Sequence, residues 1–330
     1  MKQFLQKKAK LVFLCMLVLL TCTACANPRG RDGKTLADQI IASEETTIDA
    51  SKINYKDISD KKLKKEIKKN IKDGQYTIQP TTFKNSMSKG WFEGLIVWPI
   101  AQIINLISSK TDAGVGIILT TLLIQMLVFV FTRKSQMSTQ RIQEIQPEIQ
   151  KIQNKYKDKT DERSKMQMAQ EMQNIYQKYD IHPFGSMLIT FIQLPIMMGM
   201  YYATMRSVSV VSGSFMGISL AGTPLDGFKA FDIAYISIYV LMVIFYIVSM
   251  KLPQWLKKWQ DKKDNVKVKK YAQEETNPMA NSMNMSMYFM TAMICIMYIS
   301  WPMAMSFYWL VSSVIRVCQS LILHKVMNKK

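Results

Sequence analysis

The sequence predicts an all-α membrane protein: five transmembrane helices around a hydrophilic groove, with a cytoplasmic helical hairpin and an interfacial helix. Three observations carry this. Long apolar blocks alternate with lysine-rich segments along 330 residues whose formal charge is +19 and whose hydrophobic share is 48%. In one basic segment, isoleucines and methionines recur at helical spacing. The last apolar block, "WLVSSVIRVCQSLIL" at 309–323, holds Arg316 on a polar stripe. A basic pI alone suggests nucleic acid, but lysines placed between apolar blocks read as the loops of a membrane protein. Neither zinc-finger spacing nor an RNP-like aromatic strand occurs, so no specific nucleic-acid site is expected.

The chain opens with "MKQFLQKKAKLVFLCMLVLLTCTACAN", lysines followed by an apolar run and small residues. This is the layout of a secretory signal, predicted over 1–24. Cys25 follows Thr23 and Ala24, which resembles a bacterial lipobox. A thiol there takes a diacylglyceryl group and, after cleavage, a palmitate-type acyl anchor outside the cell. The other reading is an uncleaved first span. Cys15 and Cys22 leave with the signal, and Cys295 and Cys318 lie in apolar spans, so a disulfide framework is not expected.

Residues 25–90 are polar and lysine-rich, as in "DKKLKKEIKKNIKDG", and read as an extracytoplasmic, lipid-anchored tether with some helix. The stretch 91–110 begins with aromatics, contains Pro99 and is short for a span of about 20 residues, so an interfacial helix is expected. Apolar spans follow at 113–132, 183–205, 233–250, 285–300 and 303–326. Trp301 and Pro302 turn the last two into a tight hairpin. The connecting segments 133–182 and 251–284 are rich in Lys and Arg, whereas 206–232 is nearly free of them. The positive-inside rule puts the first two in the cytoplasm and the third outside. Five spans after an exported N-terminus then leave the tail, 327–330, inside, in agreement with the charge.

Within 133–182, Ile142, Ile145, Ile149 and Ile152 step by three and four, as do Met168, Met172, Ile175 and Tyr179. The polar run "KYKDKTDE" at 155–162 separates them, which predicts an antiparallel helical hairpin. It either shields its own seam or offers a mobile docking surface.

In the last span, Trp309, Ser312, Ser313, Arg316, Gln319 and Ser320 form one stripe, with apolar residues opposite. Thr121 and Gln125 are one turn apart in the first span, and Ser186, Thr190, Gln193 and Tyr201 share a face of the second. An arginine at mid-span costs about 2.5–3.5 kcal/mol, and none of the five spans offers an Asp or Glu partner. Either the stripe lines a wet cavity with a fixed positive charge, or Arg316 snorkels to the headgroups. The candidate groove residues are therefore Arg316 as the charge, with Gln125, Thr121, Gln193, Trp309, Ser312, Ser313 and Gln319 as polar lining. No metal-ligand spacing and no acid–base pair occurs, so neither a cofactor, a metal nor an enzymatic reaction is expected.

The runs "IQEIQPEIQKIQNKY", "YDIHPFGSMLITFIQLPIMMGMYYATM" and "WPMAMSFYWLVSSVIRVCQ" resemble the YidC–Oxa family of membrane protein insertases. The likeness runs from about Trp91 to the C-terminus, and with the lipobox it looks like the short Gram-positive form. It implies a groove open to the cytoplasm and to lipid. The polar tail of an incoming segment enters there, drawn by an arginine of the first span. It also implies nascent membrane-protein substrates, the bilayer, the Sec translocase and the ribosome as partners. This sequence departs from the pattern, because the arginine position falls on Gln125 and Arg316 stands where relatives carry an uncharged residue. A small-anion transporter or channel using Arg316 is the alternative function.

Overall fold

The computed structural model describes residues 28–156, 159, 161–181, 184–263, 289 and 291–327. The expected signal and Cys25 lie outside these residues, as do 285–288 and 290 of the expected 285–300 span. In chain order the elements are β1 (Thr35–Leu36), β2 (Thr46–Asp49), β3 (Ile53–Asn54), α1 (Lys61–Asn70), β4 (Gln75–Ile78) and α2 (Phe83–Lys89). A π-helical turn, Glu93–Val97, leads into α3 (Trp98–Ser108). Then come α4 (Ala113–Glu144), α5 (Gln146–Lys155), α6 (Glu162–Lys178), α7 (Phe184–Arg206) and α8 (Val208–Ser212). They are followed by β5 (Ser214–Phe215), β6 (Ile218–Ser219), α9 (Pro224–Ala230), α10 (Ile233–Lys263), α11 (291–298) and α12 (Met303–Met327). The chain divides into two compact units, residues 1–116 with 196–221, and residues 117–195 with 222–330.

In the first unit, the segment read as a tether carries a core of its own, which corrects that expectation. Ile40, Ile48, Ile53, Ile58, Ile67 and Ile78 bury together with Val208 and Val211. The segment is poor in apolar residues, but it borrows two from α8, and its isoleucines converge through short strands. β2 and β4 pair antiparallel, Thr46 opposite Ile78, and β1 pairs parallel with β3. Asp60 caps α1 by accepting from the amides of Lys62 and Leu63, and Leu63 and Ile67 turn its apolar side onto the core.

Asn105 of α3, fully buried, pins this segment. Its Nδ2 donates to the Ile41 carbonyl at 2.8 Å, and its Oδ1 accepts from the Ser207 hydroxyl at 2.5 Å and the Ser209 amide at 3.2 Å. The Ile41 amide donates to the Arg206 carbonyl and the Val208 amide donates to the Ile41 carbonyl, at 2.6 and 3.0 Å. Arg206, buried, pairs with Glu93 and Gln39. The expected interfacial helix is the apolar run Glu93–Ser108, below spanning length. Pro99 does not break it. The proline sits at the start of α3, directly after the π turn, where the Trp98 amide reaches back to the Glu93 carbonyl. Gly199 lets α7 approach that turn, since a Cβ there would lie 2.5 Å from Ile96.

Among the described residues of the whole chain, three helices are long and apolar enough to cross a membrane, Ala113–Ile142, Ile233–Lys263 and Met303–Val326. The first does not stop at 132. With neither Gly nor Pro between 117 and 146, α4 continues into the expected hairpin and ends only where Pro147 opens α5. In the second unit α10 packs along α12, and the Tyr239 hydroxyl donates to the Cys295 carbonyl at 2.6 Å. The hairpin shields its own seam, with Ile145, Ile149 and Ile181 buried against Ile142, Met172 and Ile175. At its tip Lys155 meets Glu171 at 2.5 Å and the Tyr156 hydroxyl donates to the same carboxylate at 2.9 Å. Lys155 first, and then Tyr156, hold the Glu171 carboxyl below the usual carboxylate range.

Two outcomes follow. Replacing Asn105 with Leu strands the Ile41 carbonyl, the Ser207 hydroxyl and the Ser209 amide, at about 1–3 kcal/mol for each group left unpaired. Thermal melting of the full chain in detergent should drop and proteolysis within 28–90 should accelerate. For Glu171, a lowered carboxyl pKa stabilises the hairpin above the ordinary carboxylate range, and this is lost as pH falls through the lowered value. Amide exchange across 155–171 should therefore rise below about pH 4 in the wild type and change far less in Glu171→Gln.

Candidate functional site

The site lies within the second unit, built by α4, α7, α10 and α12. α12 has no acidic residue and needs none to place its stripe: the four-residue step from Ser312 to Arg316 and then to Ser320 keeps one face polar. Val314, Leu321 and Ile322 are exposed on its other side, as is Cys318. On α4 a matching row runs through Gln125, Thr132, Gln136 and Gln140.

These faces enclose a cavity of about 210 Å³. Arg316, Gln319 and Ser320 line it from α12, Gln125, Gln136, Thr139 and Gln140 from α4, Gln193 from α7, and Ser249 and Pro253 from α10. Amide–hydroxyl bonds tie the walls. Gln125 Nε2 donates to Ser312 Oγ at 3.1 Å, and Gln193 Nε2 donates to the Tyr308 hydroxyl at 3.1 Å. Arg316 Nη2 donates to Ser313 Oγ at 2.8 Å, and its guanidinium lies 5.9 Å from the centre of the Trp309 ring. Trp309 is itself stacked on Tyr298, with ring centres 4.9 Å apart.

Of the residues expected from sequence, the structure brings Arg316, Gln125, Gln193 and Gln319 to the cavity wall. Ser312, Ser313 and Trp309 stand behind it, as partners of Gln125 and Arg316. Thr121 is not part of the lining; it is buried, and its hydroxyl donates to the Ile117 carbonyl of its own helix at 2.7 Å. Cys25 and the side chains of Ser186 and Thr190 fall outside the described residues. Sequence reasoning placed Ser320 on the stripe, where it lines the cavity, and missed Gln136, Thr139, Gln140 and Ser249. A signal for the α4 group existed: the Gln125 stripe continues at steps of three and four past the charged boundary at 133, and Gln136 Nε2 donates to Thr132 Oγ1 at 2.9 Å.

Chemically the lining offers amides, hydroxyls and one guanidinium. Among the described residues the lining holds no carboxylate, imidazole or thiol, and what it offers is groups that bind and solvate. The Ser320 hydroxyl, buried and without a partner among the described residues, sits on the same wall. A fixed cation on a polar wall, with its charge uncompensated by the lining, favours an acidic or polar guest.

A wet cavity makes a direct prediction. Thiols ionise and react in water and are suppressed in hydrocarbon. In membranes, Gln319→Cys should react with a polar maleimide roughly ten-fold faster than Cys318, which is exposed beside the apolar residues of α12 about 100° around the helix from it.

The family model described as 60Kd inner membrane protein matches residues 105–330. The chain is 30% identical over 237 residues to membrane protein insertase YidC 1 of Streptococcus pyogenes, covering 72% of this chain and 75% of that protein. Similarity to membrane protein insertase YidC of Enterococcus faecalis is also 30% over 237 residues, 72% of this chain and 76% of that one. Membrane protein insertase MisCA of Bacillus subtilis is 26% identical over 238 residues, 72% of this chain and 80% of its own length.

Proposed function

This chain belongs to the YidC–Oxa family of membrane protein insertases, a multi-pass protein of the cell membrane that acts in membrane protein insertion, and from that premise we propose that Arg316 is its groove charge. The observation that carries this reading is the cavity itself. Arg316 lines it from α12, Gln125 lines it from α4, and no carboxylate lies between them. Family resemblance puts an arginine at the position of Gln125. Here the charge has moved from one wall of the groove to the other, and the amide left behind is held by Ser312.

The mechanism is physical rather than covalent. The polar tail of an incoming segment enters the cavity, where amides and hydroxyls replace part of its water. Its acidic side chains are drawn by Arg316, and its apolar part moves into lipid. The gain is a lower barrier, since each unsatisfied backbone group in hydrocarbon costs several kcal/mol. No bond is made or broken in a substrate, so the chain works without an enzymatic step or cofactor. The lipid anchor at Cys25 and the extracytoplasmic segment stand outside, and the hairpin and the C-terminus stand in the cytoplasm, as lysine placement supports. The basic segments 133–182 and 251–284 are the surfaces for a ribosome, and the Sec translocase is a co-worker for larger substrates.

Reconstitution tests this. Purified protein in liposomes receives a single-span substrate with a short acidic outer tail or with an uncharged one. Arg316→Ala should slow insertion of the acidic substrate on the order of ten-fold, equivalent to about 1.4 kcal/mol, and affect the uncharged one little. Gln125→Arg combined with Arg316→Ser should restore it. If Arg316→Ala inserts both normally while Arg133→Ala, at the exposed end of the span, does not, the charge has not moved. Liposomes that become leaky to small anions without inserting substrate would instead favour transport.

A further inference from the structure

The outer segment carries a feature that neither its core nor the groove uses. On α1, Lys61, Lys62, Lys64, Lys65, Lys68 and Lys69 cover one continuous arc of the helix, opposite Leu63 and Ile67. Lys61, Lys62, Lys65, Lys68 and Lys69 are exposed, and Glu66 is the helix's one acidic residue. Lysines at spacings of three and four, such as Lys61 with Lys65 and Lys65 with Lys69, repel one another. Solvation needs only polar side chains, and glutamine or alternating charge would serve it without that repulsion. A surface of one sign, self-repelling and held on a folded scaffold, is complementary to an anionic partner.

We propose that the lysine face of α1 captures acidic polypeptide segments on the outer side of the membrane, retaining them after they cross. This rests on the insertase reading, which supplies the cargo: a groove with a fixed cation selects acidic tails, and insertion delivers them to the side where α1 stands. Charge complementarity favours an acidic peptide, the cargo that the insertase reading already supplies. Leu63 and Ile67 pack α1 onto a folded core that it shares with Val208 and Val211, which leaves the lysine arc on the helix's other side. Its ten residues are about 15 Å long, room for about five residues of extended peptide. A tail held there by several weak, screened contacts is retained without being locked, since each exposed pair is individually weak.

The test uses the full chain in zwitterionic nanodiscs and a fluorescent eight-residue peptide rich in Glu and Asp, followed by anisotropy. Changing Lys61, Lys65, Lys68 and Lys69 together to Gln should weaken binding at least about ten-fold, while the same four changed to Arg should retain it. Binding should fade in molar salt. The glutamine variant keeps helix-forming residues and relieves repulsion, so its melting temperature should not fall. Equal binding by the glutamine variant overturns the proposal. So does a clear preference of the site, at equal charge, for soluble polyphosphate or for vesicles containing anionic lipid, either of which names a different partner. A failure of substrate insertion with peptide binding intact would count against the groove reading and not against this one.

Discussion

A guanidinium cannot be left dry inside a bilayer, and much of the membrane part of this protein answers to that constraint. Arg316 sits in a helix whose other face is apolar, and among the described residues the lining near it supplies no carboxylate. The charge is met by Ser313, by the face of Trp309 and by a cavity lined by four glutamines on two other helices besides Gln319 on its own: Gln125, Gln136 and Gln140 on α4 with Gln193 on α7. Removing the counter-ion makes the site costly to build and useful once built, because the favourable partner has to arrive from outside.

The same logic of leaving no buried polar group unpaired organises the first unit. Asn105 satisfies one carbonyl, one hydroxyl and one amide at the place where the segment 28–90 meets the end of α7. Arg206 finds Glu93 and Gln39 close by. Buried Arg206 and half-buried Arg316 thus take opposite solutions. Arg206 is paired and belongs to structure, whereas Arg316 is left with hydroxyl, ring and cavity, the arrangement expected of a binding charge.

Much of the groove was legible in the sequence, because helical periodicity reports faces directly. The spacing of Ser312, Arg316, Gln319 and Ser320, and that of Gln125 with its own helix, needs no tertiary knowledge. Thr121, one turn before Gln125, was misleading because the cavity begins only at Gln125 and runs from there toward Gln140. The reach of the cavity to Gln136 and Gln140 was hidden by Arg133 and Lys134, which mark a membrane boundary but do not interrupt the helix. The core of residues 28–90 was hidden because its isoleucines are sparse and its last members, Val208 and Val211, come from well over a hundred residues away. Pairings such as Gln125 with Ser312 are likewise long-range and leave no periodic trace.

The most direct test of the central claim reverses the charge. Insertion into proteoliposomes should be measured for Arg316→Glu and wild type, each with two substrates that differ only in carrying an acidic or a basic outer tail. If Arg316 selects the tail, the variant inserts the basic-tail substrate better than the acidic one, and wild type does the opposite. If the variant keeps the wild-type preference for the acidic tail while inserting at comparable rates, the charge in the last helix does not read the substrate, and the relocated-groove account is wrong.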